Sequence, residues 1–225
     1  MRNNENGRSM VEMLGVLAII GVLSAGGLAG YSKAMFKHKL NSTMEQITML
    51  VTNIRTAYGS QGSYSSLSVA GARKLGAIPA VMGTDATLTN PFKGAVRIGP
   101  SKARSTDTAD GTAFTVEYDG LPKEACIALA TADFGSGAGS GFIGVVVGET
   151  VEGTTKHGAI PEGQTKPTPL NLDVYIGQGN GRSAGGSGDN AYLAQDASRG
   201  EGEAYSMAAA IGACTEQSQV SWKFY

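Results

Sequence analysis

The chain has 225 residues, a net charge of -1 and 16% charged residues, with no long run of lysine or arginine. That balance lacks the basic surface a polyanion requires, so nucleic acid is not expected as a partner, and the length suits one core plus an extended element better than two globular domains. Glycine is abundant at 33 residues and aromatics are sparse at 7%, a composition that points to a loop-rich region with short strands.

From Met13 to Tyr31 nineteen residues carry no formal charge, with Glu12 before them and Lys33 just after. As a helix rising about 1.5 Å per residue they extend roughly 28 Å, close to the hydrocarbon thickness of a bilayer, so the segment can span a membrane. Beyond it the apolar residues keep to one face: Leu40, Met44, Ile47, Val51, Ile54 and Tyr58 step by four and three in turn, the stripe of an amphipathic helix. No proline precedes Pro79 and nothing obliges a break before Gly59. The pattern therefore predicts a long N-terminal helix over 8–58, apolar over 13–31 and amphipathic over 32–58. Gly15, Gly21, Gly26, Gly27 and Gly30 punctuate the apolar half; they allow either close helix approach or local unwinding near Gly26–Gly27.

Ahead of the helix stands the short polar stretch MRNNENG. It is no secretory signal, because the apolar run is too long and cleavage behind it would discard most of the helix. Arg2 and Arg8 favour an inside N-terminus while Lys33, Lys37 and Lys39 crowd the other flank, so charge leaves the orientation open. Cys126 and Cys214 are the only cysteines. Placed beyond a membrane anchor they suggest a disulfide in an oxidising compartment, against two free thiols. Paired, they would close a long loop worth about 4–5 kcal/mol in the chain-entropy account and pin the last strand.

Gly7-Arg8-Ser9-Met10-Val11-Glu12, followed by the apolar helix, resembles the N-terminus of type IV prepilins. The resemblance implies that a prepilin peptidase cuts after Gly7, that Arg8 becomes the first mature residue and the site of N-methylation, and that Glu12 is mature residue five. Arg8 departs from the apolar residue usual there. For Glu12 two readings stand side by side. Ser9-x-x-Glu12 is a capping box, and Arg8 can pair with Glu12 at i, i+4. Alternatively a carboxylate near lipid, costing on the order of 2.5–3.5 kcal/mol, is met by the free amine of a neighbouring copy and sets the assembly register. The leader, the glycine and the helix behind them favour assembly.

Past Gly59 glycine, serine and threonine take over. Ser66–Leu75 reads as a short helix burying Leu67, Ala70 and Leu75. Asn90-Pro91-Phe92-Lys93-Gly94 is a turn signal leading into a strand over Ala95–Ile98, and Ala113–Tyr118 alternates as a second. Leu121–Ala130 reads as a helix with Pro122 in its first turn and Cys126 on its apolar side. Phe142–Val147 and Leu172–Ile176 are strand candidates, Gly202–Cys214 can be helical, and Val220–Tyr225 is strongly strand-like. The Asn-Pro-aromatic-x-Gly turn, and a late cysteine followed by a terminal aromatic strand, are similar to features of type IVb pilin heads. The implied fold is α+β: the long helix packed on a small antiparallel sheet, with a glycine-rich head over 59–225.

Catalytic patterns fail on their context. Gly139–Gly144 matches G-x-G-x-x-G, but an apolar strand follows where a helix is required. His38 and His157 stand apart from other ligands, Asp107–Asp110 and Gly179–Asn190 lack calcium-loop spacing, and no serine or cysteine has a nucleophile setting. No enzyme activity, metal or cofactor is expected. The resemblance implies a structural subunit: an inner-membrane protein with its head in the periplasm, processed after Gly7, handed to pilus assembly machinery and polymerised as a helical homo-oligomer into an extracellular filament. A secretion pseudopilin and an uncleaved membrane-anchored binding module are the alternatives.

Overall fold

The computed structural model describes residues 10–83, 87–101, 103, 111–134, 141–149, 191–193 and 207–225. The chain divides into two compact units, Met1–Asn41 and Ser42–Tyr225. Helix α1, Met10–Tyr58, is unbroken, with Glu12 in its first turn and Arg55 in its last, each at the end where its charge suits the helix dipole.

In the second unit the one-faced pattern of α1 works as a packing surface. Ile47, Leu50, Val51, Ile54 and Tyr58 are buried, whereas Met44 is 36% exposed and Leu40 is half-buried. Leu50 was not in the predicted stripe. At 100° per residue it lies about 40° from Ile54, well inside the buried arc, while Met44 lies about 80° away at its rim.

After a short 3-10 turn at Gly59–Gln61 comes α2, Val69–Lys74, shorter than the predicted 66–75. Ser68 is its N-cap, accepting a hydrogen bond at 3.1 Å from the Gly71 backbone N–H, so Ser66 and Leu67 precede the helix. This register buries Leu67 and Ala72 and leaves Leu75 52% exposed and Ala70 exposed, against the expectation for those two.

The sheet comprises β1 (Leu88–Thr89), β2 (Ala95–Ser101), β3 (Ala113–Leu121), β4 (Phe142–Glu149), β5 (Ala191–Leu193) and β6 (Ser218–Phe224), in the order β1-β2-β3-β6-β4-β5. Every neighbouring pair is antiparallel. Between β3 and β4 lies α3, Lys123–Ala130, with Pro122 in extended conformation as its N-cap, so Leu121 closes β3 and does not begin the helix. Helix α4, Met207–Ala213, precedes β6. It falls within the predicted 202–214; residues 202–206 and the strand candidate Leu172–Ile176 lie outside the described residues.

The registers place Val96 and Ile98 beside Tyr118 and Val116, and these beside Val220 and Trp222, which makes one sheet face apolar. Phe114 stacks on Phe224 at 5.7 Å between centroids, and Trp222 takes Tyr118 and Phe134 edge-on at 5.8 and 5.5 Å. The alternating residues on the opposite face are polar yet also buried: Arg97, Thr115, Glu117, Asp119, Gln219, Ser221 and Lys223. Arg97 reconciles this with the cost of burying charge, pairing with Glu117 and, at 3.3 Å, with Asp119.

Candidate functional site

Among the described residues, the apolar segment of α1 is the longest stretch without a buried residue. No residue from Met10 to Asn41 is buried, and Leu14, Leu17, Ile19, Val22, Leu23 and Leu28 are all more than half exposed. Fully burying one such side chain is worth about 1.5–3 kcal/mol. Left in water, the segment would forfeit on the order of 10 kcal/mol or more, so it requires lipid or protein around it. By length and composition α1 can cross a membrane. A Cβ built on Gly15, Gly21, Gly26, Gly27 or Gly30 meets nothing within 4 Å, which leaves these positions open to the close approach of another helix. The helix is continuous through Gly26–Gly27. Glu12 is exposed in the first turn, while Gly7 and Arg8 lie outside the described residues.

The second unit supplies the head. Cys126 of α3 and Cys214, just after α4, form a disulfide with Cα atoms 5.9 Å apart, and both are buried. The bridge holds the segment that turns into β6, where Thr215 N–H donates to Ser218 Oγ at 2.8 Å and that hydroxyl donates back to Thr215 O at 3.0 Å. At the far end of β6, Arg55 Nε donates to Tyr225 O at 3.0 Å, and its guanidinium lies 5.3 Å from the centre of the Phe224 ring. Gly141, beside that guanidinium, has a φ of 67°, a left-handed backbone conformation that favours glycine. Burial lowers the Arg55 pKa and leaves it a cation.

The Asn90–Gly94 turn is clamped by one side chain. Asn90 Oδ1 accepts from the Phe92 and Gly94 N–H groups at 2.9 and 3.0 Å, and its Nδ2 donates to Asp119 O at 2.8 Å. Lys93 takes a φ of 70°, and a Cβ on Gly94 would sit 1.7 Å from Asp119 O. Asparagine and glycine are thus required at these positions.

The Arg97–Glu117–Asp119 cluster and the Arg55 contact were not foreseen. The first has a faint signal, an arginine and two acids at alternating strand positions; the second has none, because Tyr225 is remote in sequence. Among the described residues no group of His, Cys, Asp or Glu could hold a metal ion; His157, Asp107–Asp110 and Gly179–Asn190 lie outside them.

The bundlin family model matches residues 33–173. The major structural subunits of the bundle-forming pilus from Escherichia coli O127:H6 (strain E2348/69 / EPEC) and from Escherichia coli O111:H- are each 32% identical over 136 residues, 60% of this chain and 68% of theirs. Among solved structures, that of TcpA, a type IV pilin from Vibrio cholerae El Tor biotype, aligns over 84% of this chain and 99% of its own, at 15% identity and a TM-score of 0.42. On the family match and the two sequence relatives, the chain belongs to the bundlin family: it is a type IV pilin, a structural pilus subunit and not an enzyme.

Proposed function

We propose that this chain is made as an inner-membrane prepilin with its head on the periplasmic side, is cut between Gly7 and Arg8 by a prepilin peptidase, and is passed to inner-membrane assembly machinery. There it polymerises through the apolar half of α1 into an extracellular helical filament. The observation that carries this reading is the bare segment Met13–Tyr31, joined to a head that buries its own core. Moving that segment from lipid to a bundle of like helices exchanges one apolar environment for another, so cohesion comes from close packing at the glycines and small residues. Glu12, met by the free amine of mature Arg8 on a neighbour, sets the register. Helix contacts that repeat without closing give a filament.

Intact-mass measurement of subunit extracted from membranes tests the processing. Loss of Met1–Gly7 is expected, and the same spectrum reads a methyl group on Arg8; retention of all seven residues overturns the reading. Glu12→Ala should leave the processed subunit abundant in the membrane and lower filament yield. Normal yield would return Glu12 to capping its own helix.

A further inference from the structure

Helix α1 has a second exposed surface within the head unit. On the far side of the helix from the buried stripe, and reaching its rims at Met44 and Asn53, lies a shallow open face lined by Met44, Glu45, Thr48, Met49, Thr52 and Asn53. The water-facing side of a helix ordinarily carries charges. From Ser42 to Tyr58 the only formal charges are Glu45 and Arg55, and Arg55 is engaged with Tyr225 and Phe224. The threonines do not make up the deficit. Thr48 Oγ1 donates to Met44 O at 2.9 Å, Thr52 to Thr48 O at 2.8 Å and Thr56 to Thr52 O at 2.9 Å. Each hydroxyl proton is held by the helix's own backbone, leaving methyl groups to the surface. Met44, Thr48, Thr52 and Thr56 stand four residues apart, the ridge that packs into a groove of a second helix.

Charge indicates which helix. Glu45, Lys33 and Lys37 are exposed, and among the described residues none of them enters an ion pair. On one helix Lys37 and Lys33 lie about 12 and 18 Å from Glu45, too far to meet it. We propose that this face receives α1 of a second copy, shifted along the axis by about 12–18 Å, so that Glu45 of one subunit pairs with Lys37 and Lys33 of the next. The inference rests on polymerisation through α1 and adds its axial offset. Within a surface of threonine methyls and methionines, Glu45 left without a cation opposes assembly, so the pair selects the stagger.

The test uses the full chain in cells that make filaments. Glu45→Cys combined with Lys37→Cys should give disulfide-linked multimers when sheared filaments are oxidised, and neither single variant should. Filaments from the double variant without multimers overturn the offset. Independently, Glu45→Lys should cut filament yield about tenfold or more by like-charge contact, and adding Lys37→Glu should restore it. Native yield from Glu45→Lys, or no rescue by Lys37→Glu, overturns the pairing. If the cysteine pair does not assemble, the charge exchange decides alone. Unvaried subunits that never form filaments defeat the polymerisation reading itself, whereas unvaried filaments with the outcomes just named defeat only the offset.

Discussion

Residues 10–41 and residues 42–58 share one helix and meet opposite fates. The first stretch is the more apolar, yet none of its residues is buried; the second is interrupted by threonine, glutamine and asparagine, yet Ile47, Leu50 and Ile54 are fully enclosed. Arrangement, more than amount, separates them. Apolar residues on one face commit a helix to its own sheet, and apolar residues all round leave it needing neighbours that a single chain cannot supply.

That contrast can be broken or sharpened by experiment. Trp222 is the lone tryptophan and is fully buried in the sheet, so its fluorescence reports unfolding of the head alone. The largest change should follow loss of the Cys126–Cys214 bridge, whose partners are 88 residues apart: the double serine variant should lose about 4–5 kcal/mol in denaturant titration. A loss under about 1 kcal/mol would mean that packing already fixes the segment before β6. Arg97→Ala strips the buried Glu117 and Asp119 of their counter-charge and should cost about 3–5 kcal/mol by the same measurement. Leu50→Ala should cost about 2–5 kcal/mol, whereas Leu17→Ala should leave the Trp222 transition where it was and lower filament yield. A shift of that transition by Leu17→Ala would show that the two stretches are not separate after all. At the small end, the Tyr118 hydroxyl is buried with no hydrogen-bond partner among the described residues, and burial holds its pKa far above the ordinary range. Tyr118→Phe should therefore be neutral or stabilising by up to about 1 kcal/mol; clear destabilisation would reveal a partner for that hydroxyl.

Much of this was legible in the residues because the physics was local. An uncharged run, a step of four and three, an Asn-Pro-x-x-Gly turn and a valine- and aromatic-rich terminal segment each fix backbone and burial within a few residues. What escaped depends on partners far along the chain. Strand β2 continues through Pro100 to Ser101 because β3 pairs with it as far as Ala113, and two-residue β1 exists only as a rung on β2. In sequence Glu117 and Asp119 are two acids at alternating strand positions, and only the sheet brings Arg97 to both of them. The docking face of α1 was hidden for another reason: threonine counts as polar, and only in the folded helix is its hydroxyl turned back on the backbone.

Strand β6 follows every other strand of the sheet in sequence and yet lies between β3 and β4. Without Ser218–Phe224 in place, the sheet is two partial ladders with nothing to join them, each with an unpaired inner edge. A prematurely stopped product thus carries the greasy spike without a finished head. The last strand in sequence is the keystone of the sheet, and the two halves close on each other only through it.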